Sequence, residues 1–236
     1  GILKDKEQRL LDIKDKILEG KKLQYLPLSE RNTTFNSNFL KEEYLNEIER
    51  VRAYIKSGDI YITNLTQRFN CNTHRTSYEI YKDLRFINPA PFSSLLNFED
   101  FSIISSSPER FLSIRKGLVE TRPIKGTSPR GSTEEEDLIN RTLLENSEKD
   151  KSELLMIVDL ERNDLSKVCK PHTVKVTELF KIEQYSTVYH LVSNIIGELK
   201  DNMTAVDCMK ACFPGGSITG APKIRSMEII EELERT

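Results

Sequence analysis

Four stretches of this chain carry residues whose types and spacing can do chemistry. Ser107-Pro108-Glu109 is followed, sixteen residues after the glutamate, by Lys125 in Arg122-Pro123-Ile124-Lys125-Gly126-Thr127. A positioned glutamate can act as a general acid, and a deprotonated lysine amine is a nucleophile. A Lys beside a Gly is ordinarily a solvated charge on a turn, although Pro123 and Ile124 argue for a rigid setting. The second stretch is Glu148-Lys149-Asp150-Lys151-Ser152-Glu153, where Asp150 and Glu153 fall at i and i+3 on one helical face. Such a pair suits Mg²⁺, which takes one or two carboxylates and completes its shell with water and substrate oxygens. Lys149 and Lys151 fit a plain solvated face just as well. The third, Pro214-Gly215-Gly216-Ser217-Ile218-Thr219-Gly220-Ala221-Pro222-Lys223, leads into a helix whose first amides can receive an anion. It lacks the order of a nucleotide-binding P-loop, so a carboxylate suits it better, and a structural turn is an equal reading. The fourth is His190 in Tyr185-Ser186-Thr187-Val188-Tyr189-His190-Leu191-Val192-Ser193. A lone His among apolar residues is more often a satisfied core side chain than a catalyst.

Elements must hold these residues in place. Tyr44, Ile48, Val51 and Ile55 form one stripe of a 3.6-residue period, which predicts a helix ending at Gly58. Glu7–Glu19 reads as a charged amphipathic helix with Leu10, Leu11, Ile13 and Leu18 available for burial, and a polar stretch runs from Ser29 to Ser37. Ile60–Phe69 reads as a strand, and Asn88-Pro89-Ala90-Pro91 as a break. Phe101–Ser105 and Arg110–Arg115 read as short strands, with a turn at Gly117 into Leu118-Val119-Glu120-Thr121. Glu134–Asn163 reads as one long helix, and Thr173–Ile182 and His190–Leu199 as strands or strand–helix pieces. Helices are expected at Ala205–Phe213 and from Lys223 to Leu233, on either side of the glycine-rich turn. Mixed, non-alternating elements predict an α+β (complex α/β) fold.

Composition narrows the function class. The chain has 236 residues, 37% hydrophobic and 31% charged, which is enough apolar material for a substantial core. Its net charge is −2 with Lys and Arg scattered, which favours neither nucleic acid nor an anionic membrane. No apolar run approaches the roughly 20 residues that span a bilayer. The first residues, Gly1-Ile2-Leu3-Lys4-Asp5-Lys6-Glu7, lack a signal-peptide core. Cys71, Cys169, Cys208 and Cys212 contain no C-x-x-C pair. Cys208 and Cys212 read as small buried hydrophobes, and a cytoplasmic location is expected.

Taken in order, the blocks Asp59-Ile60-Tyr61, Asn64-Leu65-Thr66-Gln67-Arg68-Phe69, Ser107-Pro108-Glu109-Arg110-Phe111, Arg122 to Thr127, Lys149 to Asp164 and Phe213 to Lys223 resemble the chorismate-utilising enzymes. The resemblance runs from about Asn38 to the last residue. It implies a chorismate-binding fold with large antiparallel-rich sheets flanked by helices, cut short at both ends here. Residues 1–37 would be a remnant of the N-terminal region, and residues 38–236 a catalytic core incomplete at its C-terminus. Within the family, anthranilate synthases typically carry Ala where this chain has Lys125, and aminodeoxychorismate synthases carry Lys. The implied reaction is therefore amination of chorismate to 4-amino-4-deoxychorismate, toward para-aminobenzoate and folate. Ammonia would come from a separate glutamine amidotransferase subunit. The resemblance assigns Lys125 as nucleophile, Glu109 as general acid and His190 against the ring. It puts Gly126, Thr127 and Thr219 around the substrate, and Mg²⁺ on Glu153 with Asp150 nearby. Ile62 stands where the family usually has Gln, which removes a polar group. Isochorismate-type enzymes place a general-base Lys at that position, so water activation there is not expected. The rival readings are an anthranilate synthase component I-like enzyme and a catalytically inactive fragment of the fold.

Overall fold

A computed structural model gives the fold and describes residues 2–20, 33–185 and 187–235, with no side chains for 2–4. Gly1, residues 21–32 (which include part of the polar stretch), Ser186 and Thr236 lie outside the described residues.

In chain order the elements are α1 (Ile2–Glu19), β1 (Asn36–Ser37), α2 (Lys41–Ser57), β2 (Ile62–Thr63), β3 (Phe69–Asn70), α3 (Ser77–Ile87), β4 (Phe92–Asn97), β5 (Ser102–Ser107), β6 (Arg110–Arg115), β7 (Leu118–Arg122), β8 (Ile124–Pro129), α4 (Glu134–Glu145), α5 (Glu148–Val168), β9 (Lys175–Gln184), β10 (Val188–Glu198), α6 (Ala205–Cys212), β11 (Gly220–Ala221) and α7 (Lys223–Leu233). This is the α+β class expected from the sequence. The central sheet is antiparallel and built around β10. Along one edge β10 pairs with β9, and along the other with β8 in its first half and β7 in its second. Strands β7 and β8 thus run past β10 as one strand bent at Pro123, whose carbonyl still accepts from the Ser193 amide at 3.2 Å. A two-residue turn, Lys116 (φ 51°) and Gly117 (φ 80°), joins β6 to β7. Two positive φ values in succession match the right-handed twist of a hairpin.

Helix α5 lies across this sheet. Its Leu154, Val158, Leu165 and Val168 bury against Val119, Leu191 and Ile195 of the strands and Cys208 and Cys212 of α6. The two cysteines are buried as expected. Each such side chain contributes roughly 1.5–3 kcal/mol of transfer free energy, so this layer holds the strands that carry Lys125 and His190. A smaller cluster joins α2 and α7 through Val51, Ile60, Ile229 and Leu233. Helix α2 ends at Gly58 (φ 84°), as its sequence predicts.

Three local expectations need correction. Leu10, Leu11, Ile13 and Leu18 of α1 stay exposed, so nothing among the described residues covers the apolar stripe. Of the expected Ile60–Phe69 strand, only Ile62–Thr63 and Phe69 lie in ladders, with β11 and β1 respectively. Between them the backbone is held by side chains and a cap: Thr66 N–H donates to the Glu234 carboxylate at 2.7 Å. The long helix expected over Glu134–Asn163 is two helices. Ser147 accepts from the Asp150 amide and starts α5, so a local side-chain bond wins over continuation through Asn146.

Helix α4 is clamped to the sheet by Asp137. Its carboxylate takes two bonds from the Arg130 guanidinium at 2.7 Å and one from the Tyr189 hydroxyl at 2.6 Å. Arg130, then Tyr189, hold this carboxyl far below the usual range. The unfolded carboxyl titrates near 3.8. The clamp therefore stabilises the fold fully above that pH and is lost as pH falls through the lower folded value. Asp137→Asn should have a lower Tm than the unsubstituted chain at pH 7. The gap should close as thermal melts are repeated at progressively lower pH below about 4.

Candidate active site

Glu109 sits between β5 and β6, where the Ser107 hydroxyl accepts from its amide at 3.3 Å. Its Oε1 accepts from the Ile124 amide at 3.1 Å and from the Ser217 hydroxyl at 2.7 Å. The carboxyl is thus pinned between the residue preceding Lys125 and the glycine-rich loop. Burial raises its pKa, and the bonds from Ser217 and Ile124 and the charge of Lys125 oppose that rise without cancelling it. Glu109 therefore keeps its proton to higher pH than a free carboxyl, as a general acid needs.

Lys125 lies in β8 opposite Leu191, and Thr127 lies opposite His190. Gly126 between them has no partner and a φ of 77°, so it is the extra residue of a β-bulge. The bulge brings the Thr127 hydroxyl to 3.0 Å from His190 Nδ1. His190 also meets the Tyr185 ring edge-on at 5.3 Å between centroids. Burial lowers its pKa, against its bond with the Gly126 backbone and the charge of Glu183, so the ring is neutral at pH 7.

The bulge has a second function. A Cβ built on Gly126 would lie 2.9 Å from Asp150 Cβ, 3.0 Å from Asp150 Cγ and 2.9 Å from Leu144 Cδ1. Asp150 at the start of α5 is thus seated directly against the Lys125 strand. Gly126→Ala meets both the φ restriction and this contact. It should lower stability by about 1–3 kcal/mol in denaturant titration and lower turnover by more than that loss accounts for at saturating substrate.

Glu153 stands one turn beyond Asp150 on the same face, with Lys149 Nζ at 3.9 Å. Both carboxylates are half-buried. Two carboxylates on one face of α5, Asp150 seated against the Lys125 strand, are a set that Mg²⁺ accepts, the other positions going to water and ligand oxygens. Among the described residues no cluster of three or more His, Cys, Asp or Glu forms a closed metal cage.

The glycine-rich loop is built inward. Thr219 is buried, and its amide and hydroxyl both donate to the Gly215 carbonyl, at 3.2 and 3.0 Å. Its own carbonyl accepts from the Asn64 amide at 2.9 Å and the Ser226 hydroxyl at 3.1 Å. Asn64 Nδ2 also donates to the Ser217 carbonyl at 2.7 Å. Thr219 therefore frames the loop, and Ser217 is the residue that reaches the acid. In the sequence, Ser217 carries no signal beyond its membership of the loop. A separate cavity of about 1240 Å³, lined by Tyr61, Leu155, Phe213 and Ile224 among others, touches none of Glu109, Lys125, His190, Asp150 or Glu153.

Comparison with known proteins gives the family. A family model described as chorismate binding enzyme matches residues 3–236. The chain belongs to this family. It is 45% identical over 237 residues to aminodeoxychorismate synthase component 1 of Bacillus subtilis, covering 98% of this chain and 50% of the relative. It is 44% identical over 220 residues to anthranilate synthase component 1 of Aquifex aeolicus, covering 88% and 44%. The crystal structure of anthranilate synthase component I from Streptococcus pneumoniae superposes with a TM-score of 0.78 at 32% identity, covering 97% of this chain and 50% of that one. The chain spans about half the length of the curated relatives it matches. No described helix is long and apolar enough to cross a membrane.

Proposed function

We propose that this chain carries chorismate-aminating chemistry that yields 4-amino-4-deoxychorismate. The observation that supports it most is the seating of Glu109 on the Ile124 amide, immediately before Lys125 and within reach of its charge. An acid and an amine so placed can act on one small ring together.

Glu109 protonates the ring hydroxyl, which leaves as water, while the neutral Lys125 amine attacks the far end of the diene and forms a C–N bond. Ammonia then attacks the carbon that bore the hydroxyl. The Lys125 C–N bond breaks and releases the neutral Lys125 amine, and the proton shed by the newly bound nitrogen restores the Glu109 acid. His190, neutral and fixed through Thr127, lies against the ring, and Gly126 leaves the backbone open to it. Asp150 and Glu153 would hold Mg²⁺, which when bound neutralises the ring carboxylate. Ammonia comes from a glutamine amidotransferase partner, as the "component 1" in the names of the relatives suggests, and the site of action is the cytoplasm.

A second reading is anthranilate formation, favoured by the Aquifex aeolicus relative, whose 44% identity is just below the 45% of the Bacillus subtilis aminodeoxychorismate synthase component. Mass spectrometry of the products from chorismate, Mg²⁺ and ammonium decides between them. Aminodeoxychorismate retains the enolpyruvyl group; anthranilate has lost it. Anthranilate as the sole product would overturn the first reading.

A further inference from the structure

The two bonds that hold Glu109 both end on one oxygen. Oε1 accepts from the Ile124 amide at 3.1 Å and from the Ser217 hydroxyl at 2.7 Å. Oε2 has no partner among the described residues. No buried side-chain oxygen among them is left without one, so Oε2 opens to the space beside the carboxyl. A protonated carboxyl is asymmetric: one oxygen carries the hydrogen and the other is a carbonyl acceptor. The Ile124 amide can only donate, and a carbonyl oxygen with two lone pairs receives it better than an O–H oxygen does. Oε1 is therefore the carbonyl. It has no hydrogen of its own, so its contact with Ser217 closes only with the hydroxyl donating.

The Ser217 hydroxyl is aimed from elsewhere in the fold. Asn64, just after β2, holds the glycine-rich loop at two carbonyls. Its amide donates to Thr219 at 2.9 Å and its Nδ2 to Ser217 at 2.7 Å. The second bond grips the residue whose hydroxyl reaches the acid. We propose that Asn64 and Ser217 are positioning residues for the candidate acid, fixing Oε1 as its carbonyl and leaving the transferable proton on Oε2. Their role in turnover rests on the aminating function proposed above; the placement of the proton does not.

The sign of one titration distinguishes this arrangement from its alternatives. A hydrogen bond donated to a carboxyl favours the ionised form over the neutral one, so losing it raises the titration. A proton on Oε1 donated to Ser217 would instead favour the neutral acid, and losing that bond would lower the titration. A loop that merely loosened and admitted water would also lower it toward 4.5, because burial is what holds Glu109 up. Lys125 of β8, whose charge acts on Glu109, and Glu161 of α5, which feels the charge of Glu109, are the same in every variant below.

The test is Ser217→Ala, together with Asn64→Ala and the double variant. The loop stays anchored in all three, because the bonds to the Thr219 carbonyl from the Asn64 amide and the Ser226 hydroxyl remain. With ¹³C-labelled glutamate, the Glu109 signal is the one missing from Glu109→Gln. In Ser217→Ala its NMR titration should move up by about one unit. The alkaline limit of kcat/KM for ammonia-dependent amination should follow it upward. The maximal kcat should fall about tenfold, since a carboxyl held by one donor can turn its proton away from the ring. Asn64→Ala should slow turnover on its own, but by less than about twofold once Ser217 is already Ala. A Glu109 titration that Ser217→Ala leaves in place or lowers overturns the placement of the proton. Additive losses in the double variant overturn the action of Asn64 through Ser217. If the chain makes no aminodeoxychorismate under any condition, the functional reading fails and takes the role in turnover with it. The NMR titration alone then decides where the proton sits.

Discussion

Lys125→Ala should abolish formation of 4-amino-4-deoxychorismate from chorismate and ammonium, with a loss of roughly 10³-fold or more, the scale seen when a covalent nucleophile is removed. The substitution leaves the scaffold alone. Lys125 lies on a strand whose pairing with β10 runs through backbone atoms, and its neighbours Gly126 and Thr127 keep their contacts with Asp150 and His190. Tm should therefore change little while the rate collapses, and chorismate binding measured by calorimetry should survive.

The nucleophile reading makes a second demand on the same residue. With ammonia withheld, the intermediate has nothing to displace it. Intact-protein mass spectrometry of the unsubstituted chain with chorismate and Mg²⁺ should then show an added mass of one chorismate less one water. Peptide mapping should place it on Lys125, and ammonium should remove it. A Lys125→Ala chain that still makes the product at an unreduced rate would sink covalent catalysis and leave Lys125 as an electrostatic neighbour of Glu109.

Much of this site was legible before the fold was known, for reasons that differ from residue to residue. Val51 and Gly58 announce α2 because a helix must bury one stripe and end where a left-handed residue is cheap. Strand β6 was read with its observed bounds, because Gly117 marks its turn. The long α4–α5 segment misled because its apolar period passes through Asn146 and Ser147, and a single serine hydroxyl outweighs periodicity there. Ile60–Phe69 misled because strand propensity cannot say whether a partner edge exists; Ile62 and Thr63 find one on the glycine-rich loop and Phe69 finds another on β1, with no ladder between them. Gly220 of that loop shows why: at φ 150°, a Cβ would lie 2.1 Å from the Ile62 carbonyl oxygen. Glycine here lets two backbones touch. In the site, Glu109, Lys125, His190, Thr127 and Asp150 converge on the bulge, and spacing on its own could not have shown it. Thr219 is buried and bonded within its own loop, which its sequence context does not announce. Glu161 of α5 turns its carboxyl inward to 2.8 Å from the Thr121 hydroxyl, although an acid on a helix is usually solvated.

Glu109→Gln should reduce amination by about 10²–10⁴-fold, the usual contribution of a positioned general acid. The amide oxygen can still accept from Ile124 and Ser217, which now hold Oε1 at 3.1 and 2.7 Å, so the loop and the strand should stay in register. What is lost is the proton, and the loss has a pH signature. Burial raises the folded Glu109 above its ordinary 4.5, so the rate through the protonated acid is full below that raised value and falls as pH rises through it. The unsubstituted chain should therefore show an alkaline decline in kcat that the Gln variant lacks, its residual rate following only the availability of neutral amine and ammonia. The same raised value predicts a stability effect of matching sign. Between pH 4.5 and the folded value the unfolded chain has released its proton and the native chain has not, so stability falls with rising pH in the unsubstituted chain alone. Glu109→Gln should then be the more stable protein at pH 7 and the slower enzyme. That combination is what separates a buried acid kept for its proton from one kept for its hydrogen bonds, since loss of the bonds would lower both quantities together.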